Sequence, residues 1–119
     1  MPGTGFDSFV PGIAADPNVP GRVSVVTYVR RSNSCSAETC SYGVAFTSSR
    51  TGGATWTKPQ RLDTVAPRYT WIANAGGQFV GDYVGATFAS GRFVPVFALA
   101  SAPLSGGRLR EYMMAASIP

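Results

Sequence analysis

The sequence predicts an all-β protein, and three observations support this prediction. Runs rich in β-branched and aromatic residues recur along the 119 residues, as the strands of a sheet require. Clusters of Gly, Pro, Ser and Asn separate these runs at short intervals, which is typical of turns between antiparallel strands. Apolar residues do not recur at helical spacing over the length of a helix, apart from a weak pattern at the C-terminus.

The predicted strands follow one another with short connections. A short strand at Val10–Ala15 comes first, and the chain then turns at Gly21-Arg22. Each later run is bounded by residues that favour turns. These strands are Val23–Val29, Tyr42–Thr47, Thr57–Leu62, Tyr83–Ala89, Phe93–Ala98 and Leu109–Ala116.

An internal repeat organises the strands. The segment Val10–Ala15 followed by Gly21-Arg22 is echoed by Tyr83–Phe88 followed by Gly91-Arg92. Antiparallel four-stranded units repeated along a chain are the blades of a β-propeller, which closes with about four to eight blades. We expect about two blades here: residues 1–63, a connection at 64–80, and a second, incomplete blade at 81–119. The chain is then either part of a longer propeller or one of several copies in a ring.

Composition excludes several classes of function. The chain has no histidine, which rules out His-based triads and zinc sites with His ligands. The net charge is +4, but the arginines are scattered, so we do not expect nucleic-acid binding. No apolar run reaches the roughly 20 residues that span a bilayer. The first residues lack the pattern of a signal peptide, so if the protein is exported, we expect its leader to lie outside this chain.

Two cysteines, Cys35 and Cys40, lie close together in the sequence. They are too few for a structural zinc site and are not spaced as a redox motif. A local disulfide that pins a loop is the economical interpretation, and it favours a secreted or extracellular protein. Two reduced thiols in a cytosolic loop remain the alternative. We predict no metal and no cofactor.

The segment Ser49–Trp56 resembles a known turn motif. Ser49, Gly53, Thr55 and Trp56 match the Asp-box, or BNR repeat, of the sialidase superfamily, and Thr51 stands at the Asp position. The resemblance implies that the side chain at position 51 bonds turn amides and that the Trp plugs the hairpin into its blade.

Other segments are similar to the sialidase-like repeat proteins among secreted bacterial hydrolases. They are Asp7–Asp16, Val25–Arg31, Phe79–Gly85 and Val94–Phe97. The resemblance implies a six-bladed β-propeller of the exo-α-sialidase type, of which this chain is the last two blades. It weakens at Phe97–Ala100, which lacks the family's W-x-D-x-R ending, and at Val29, where the family has Asp.

The family's chemistry implies the candidate site. Sialidases use a tyrosine nucleophile, because the substrate carboxylate repels an anionic one, and clamp that carboxylate with arginines. By position, Tyr83 resembles the nucleophile, and its neighbour Asp82 is the second catalytic candidate. Arg31, Arg68 and Asp7 are the substrate-binding candidates. The structural alternatives are a Tyr83 packed at the inner rim between blades, solvated arginines, and an Asp7 that caps a turn.

The chain does not contain a convincing Tyr–Glu pair. Only Glu38 and Glu111 are present to activate a tyrosine, and we expect both to lie away from the propeller axis. We therefore predict that the isolated chain does not hydrolyse sialosides, and we expect a glycan, sialylated or otherwise anionic, as the partner.

Two other functions stay open. One is a carbohydrate-binding propeller assembled from several copies, in which Trp71, Tyr69 and Phe79 stack on sugars or simply fill the gap between blades. The other is a non-enzymatic scaffold that binds protein.

Overall fold

The computed structural model describes residues 7–30, 32, 34–36, 38–64 and 66–119. It confirms an all-β protein with antiparallel sheets. Its helical content in the described residues is one short 3₁₀ turn at Tyr69–Trp71. The strands are β1 (Ser8–Ala15), β2 (Val23–Arg30), β3 (Tyr42–Ser49), β4 (Gln60–Arg61), β5 (Ala73–Asn74), β6 (Gln78–Phe79), β7 (Gly85–Ala89), β8 (Arg92–Ser101) and β9 (Arg110–Ala115).

The first sheet has four strands in the order β1-β2-β3-β4. Strands β2 and β3 pair along their whole length, from Val23 opposite Ser49 to Arg30 opposite Tyr42. Strand β1 carries a bulge between Phe9 and Gly12. Within this bulge Val10 has a φ of 49°, which is strained for a β-branched residue.

Strand β4 is much shorter than the predicted Thr57–Leu62, and the sequence around it gives the reason. Pro59 has no amide hydrogen to donate to a ladder. The Thr57 hydroxyl accepts the amide hydrogen of Ser48 at 3.0 Å, so a side chain replaces a backbone partner there. Regular pairing is left to Gln60 and Arg61, opposite Phe46 and Ala45.

The second sheet has three strands in the order β7-β8-β9, and β5 and β6 form a separate small hairpin. Strands β7 and β8 are joined by Ser90-Gly91, with φ values of 49° and 71°, as a tight hairpin turn requires. Strand β7 begins at Gly85 opposite Val96, two residues later than predicted. Beyond Val96, the edge of β8 is occupied by side chains of the first sheet.

The two sheets pack together around one core. Strand β1 lies against β7, and the approach is close at Gly12, where a methyl group would come 2.7 Å from the Val84 carbonyl oxygen. Aromatic residues dominate the interior because they bury the most apolar area per residue. The buried members are Val26, Tyr28, Tyr42, Val44, Phe46, Ile72, Val84, Phe93, Phe97, Leu99 and Ala100.

Polar groups also join the sheets. The Tyr28 hydroxyl bonds both the amide and the carbonyl of Ala98, and the Tyr42 hydroxyl accepts the Ala100 amide hydrogen at 2.9 Å. These bonds provide partners for backbone groups of β8 beyond the end of its pairing with β7. At the other end, Arg22 bonds the Gly91 carbonyl at 2.9 Å and lies over the ring of Phe88.

Candidate functional site

The candidate site lies where β1 begins and β2 ends. The Asp7 carboxylate forms an ion pair with the Arg30 guanidinium at 2.5 Å, and the Arg30 amide donates to the Asp7 carbonyl at 2.8 Å. The Asp7 side chain is 63% exposed and that of Arg30 is 29% exposed. Asp7 therefore positions a cation at a surface that solvent reaches. We call Asp7, Arg30, Arg68 and Tyr69 the Arg30 surface.

The Arg30 side chain still has an unused donor. Its Nε is buried and has no hydrogen-bond partner among the described residues. A buried donor without a partner costs about 1–3 kcal/mol. Such a group is suited to a bound water, and a ligand would meet the exposed part of the Arg30 side chain first.

Arg68 and Tyr69 reach this surface from the connection between the sheets. The chain there pairs with the start of β3, because the Tyr42 amide donates to the Pro67 carbonyl at 2.9 Å and the Tyr69 amide to the Cys40 carbonyl at 3.0 Å. Arg68 is exposed. Burial raises the pKa of the Tyr69 phenol, Arg30 lowers it and Asp7 raises it, so both charges act on this hydroxyl.

Arg31, the other predicted clamp residue, lies outside the described residues. Its neighbour Arg30 is not among the residues predicted from the sequence. The signal was the alternation along β2, which puts Tyr28 and Arg30 on one face of the strand. Tyr28 is an evident core residue. Because Arg30 lies on the same face of β2, two residues further along, its side chain is expected at the edge of that core.

The structure places Tyr83 and Asp82 at the surface before β7. Tyr83 is 89% exposed, and Asp82 is also exposed. Tyr83 thus projects into solvent instead of packing between the sheets. Among the described residues, neither glutamate partners it. Glu38 accepts a hydrogen bond from the Ser36 hydroxyl at 2.7 Å, which lowers the Glu38 pKa, and Glu111 accepts the Ala73 amide hydrogen at 3.2 Å.

The tyrosines that do lie near Glu111 are buried. Burial raises the pKa of the Tyr28 and Tyr42 phenols, the backbone bonds to Ala98 and Ala100 lower it, and the charge of Glu111 raises it. Both side chains are at most 1% exposed. No substrate reaches them, so they hold the sheets together.

The Ser49–Trp56 turn is closed by its own side chains. Ser49 Oγ accepts the amide hydrogens of Thr51 and Gly53 at 3.1 and 2.9 Å. Thr51 Oγ1 accepts the amide hydrogen of Thr55 at 2.8 Å, and the Trp56 indole donates to the Gly53 carbonyl at 2.8 Å. Trp56 therefore folds over its own turn, where it is half-buried and apart from the main core.

The remaining predicted positions are also accounted for. Cys35 and Cys40 form the predicted disulfide, which is compatible with an oxidising compartment. Tyr69 and Trp71 are partly buried against the core, and Phe79 is 40% exposed. Within the described part of the chain, no cluster of three or more His, Cys, Asp or Glu is placed to hold a metal ion. None of its helices is long and apolar enough to cross a membrane.

Comparison with known proteins found no match to this chain among protein-family models, curated proteins or solved structures.

Proposed function

We propose that the chain forms two successive blades of a sialidase-like β-propeller, and that its Arg30 surface binds an anionic glycan without hydrolysing it. The proposal joins the sequence resemblance to three features of the structure. These are the arrangement of the sheets, the free donor on Arg30, and the isolation of Tyr83.

The arrangement of the sheets supports the propeller. The strands of each sheet lie side by side in chain order, β1-β2-β3-β4 and β7-β8-β9. Strand β1 packs on β7, and Tyr28 of β2 bonds Ala98 of β8. A β-propeller places successive sheets of this kind side by side around a central channel. The described residues form no closed sheet, so a full ring requires further blades.

The unsatisfied Nε of Arg30 is the observation that carries the glycan proposal. Guanidinium groups bind carboxylates with paired hydrogen bonds. Arg30 offers a buried donor, exposed Arg68 adds a second cation nearby in the fold, and Tyr69 supplies an aromatic wall. Asp7 already balances the charge of Arg30, so the net positive charge that favours a sugar carboxylate over a neutral sugar comes from exposed Arg68.

The position of Tyr83 supports binding without turnover. A phenol needs an adjacent base to act as a nucleophile near neutral pH. Glu38 and Glu111 are engaged elsewhere. We expect no enzyme-level hydrolysis of a fluorogenic sialoside. Hydrolysis that is abolished by Tyr83→Phe contradicts this part of the proposal.

Titration with sialyllactose and with lactose tests the binding site. We expect sialyllactose to bind more tightly and Arg30→Gln to weaken it at least tenfold, as loss of a charge-assisted bond predicts. The matched control is Arg108→Gln, an exposed arginine in the turn between β8 and β9. Equal binding of the two sugars, or an unchanged affinity in Arg30→Gln, contradicts the proposal.

A second candidate, a carbohydrate-binding ring of several copies, rests on exposed apolar residues. Val96 and Met113 share the outward face of the second sheet and are 36% and 65% exposed, and Ile13 of β1 is 66% exposed. Burial of such residues favours association. Light scattering tests it: a stable trimer supports the ring, and a monomer excludes it. In either form, the disulfide and the resemblance favour a secreted protein.

A further inference from the structure

A second polar groove lies at the opposite end of the sheets from the Arg30 surface. It encloses about 290 Å³ between the first sheet and the C-terminal segment. We call it the Arg50 groove. Its principal lining residues are Arg22, Phe46, Ser48, Arg50, Gln60 and Ile118.

The two arginines of the groove differ in how they are held. Arg22 is fixed: its guanidinium bonds the Asp16 carboxylate at 3.0 Å and lies 4.8 Å from the centre of the Phe88 ring. Because the Asp16 side chain is fully buried and anionic, it balances the charge of Arg22. Arg22 therefore contributes oriented N–H donors more than net charge.

Arg50 supplies the uncompensated charge. It is exposed, and it has no hydrogen-bond or ion-pair partner among the described residues. The residue is nevertheless well placed, since the turn that carries it is closed by Ser49 and touches the β1–β2 hairpin through the bond from the Gly52 amide to the Gly21 carbonyl at 2.9 Å. A free cation on an ordered turn can bind an anion with little loss of backbone entropy.

The rest of the lining defines the body of the ligand. Phe46 and Ile118 form an apolar wall, and Phe46 belongs to the main core. Gln60 adds an exposed amide at the rim. The volume is at the small end of the range for ligand pockets. Two guanidinium groups beside an apolar wall are complementary to a small planar anion with a hydrophobic part.

We propose that the Arg50 groove binds a small organic carboxylate, with the carboxylate on Arg50 and its apolar body on Phe46 and Ile118. This site is separate from the Arg30 surface and does not depend on the proposed glycan function. Its ligand need not be a sugar.

Benzoate is a suitable probe, because benzamide is its neutral counterpart and acetate lacks its apolar body. Binding is followed by NMR shifts of backbone amides during titration of the full chain. We expect shifts at Ser48, Arg50 and Gln60, with benzoate at least tenfold tighter than benzamide or acetate. Arg50→Gln should abolish the preference for benzoate over benzamide, whereas Arg108→Gln should keep it.

Three results overturn the proposal. They are no shift in the groove with benzoate, equal affinity for benzoate and benzamide, and an unchanged preference in Arg50→Gln. Arg50 is exposed, so its replacement is not expected to unfold the protein. Unchanged amide shifts far from the groove check that directly. Arg30→Gln should leave benzoate binding intact, which separates this site from the glycan site.

Discussion

The Tyr28 hydroxyl of the first sheet accepts the Ala98 amide hydrogen at 2.8 Å and donates to the Ala98 carbonyl at 3.1 Å in the second sheet. One side chain thus performs the hydrogen bonding of a missing strand partner, because β7 begins opposite Val96 and does not extend to Ala98. Tyr42 does the same for Ala100. The two tyrosines therefore hold the two sheets in contact and also fix the position of β8 relative to the first sheet.

Removing the Tyr42 hydroxyl should destabilise the protein. Tyr42→Phe leaves the buried Ala100 amide without its acceptor, which costs about 1–3 kcal/mol. Denaturant unfolding measures the change. Tyr112→Phe is the control, since Tyr112 is 45% exposed and should shift stability by less than about 0.5 kcal/mol. Equal effects of the two substitutions contradict the assigned role of Tyr42.

Stability should fall at alkaline pH. Burial raises the pKa of Tyr28 and Tyr42 in the folded state above the ordinary value of 10.0. Above about pH 10 the unfolded chain therefore binds fewer protons than the folded one, and its stability decreases by up to about 1.4 kcal/mol per pH unit for each tyrosine. The stability that depends on the un-ionised Tyr28 and Tyr42 phenols is fully present below pH 10.

Unfolding followed between pH 8 and pH 12 checks the alkaline prediction, and tyrosinate absorbance reports the ionisation itself. The chain has a single lysine but five tyrosines, so comparison with Tyr42→Phe is needed to assign the change. Tyr42→Phe should show a shallower loss of stability with pH. A free energy of unfolding that stays constant through this range contradicts the role given to the two phenols.

The sequence predicts the strands of the two larger sheets well, misses the β5–β6 hairpin, and places the boundaries of β4 and β7 poorly. Alternation and turn residues are local signals, so the β2–β3 hairpin and the turns at Gly21 and Gly91 follow from them. The lengths of β4 and β7 depend on distant partners. Thr57 and Pro59 interrupt the β3–β4 ladder. Tyr28 and Tyr42 bond the part of β8 that β7 does not reach. No short-range sequence pattern reveals either interaction.

The candidate site was less predictable than the fold. Tyr83 was selected by its place in the repeat, which gives no information on whether a base lies beside it. Arg30 and Asp7 are 23 positions apart in the sequence, and their pairing depends on the register of β1 with β2. The Arg50 groove involves Ile118 from the C-terminal segment, so it exists only once the sheets have packed.

The β7–β8 hairpin offers a substitution that should increase stability. Ser90 has a φ of 49°, which asparagine adopts more readily than serine in a tight hairpin turn. Ser90→Asn should add about 0.5 kcal/mol to the free energy of unfolding, a gain typical of improved turn chemistry.

Gly91→Ala is the opposing test. Its methyl group meets no atom within 4 Å, so any loss of stability, about 1 kcal/mol, comes from the φ of 71° at this position. A gain from Gly91→Ala contradicts the turn geometry.

The close approach of the sheets at Gly12 should make that position intolerant of a side chain. Gly12→Ala places a methyl group 2.7 Å from the Val84 carbonyl oxygen and should destabilise the protein by about 1–3 kcal/mol. Gly85→Ala is the matched control, because its nearest neighbour would be 3.4 Å away, at the Val96 side chain. Thermal unfolding compares the two. If Gly12→Ala lowers stability less than Gly85→Ala does, the close contact between Gly12 and Val84 is contradicted.

The packing of β1 against β7 and the bonding of Tyr28 to Ala98 join the two sheets, and the Arg50 groove depends on this packing. Nuclear Overhauser contacts between the sheets measure it directly in solution. We expect such contacts from Gly12 to Val84 and from the Tyr28 ring to Ala98. Absence of both, or contacts that place β1 beside β7 in one continuous hydrogen-bonded sheet, would contradict it.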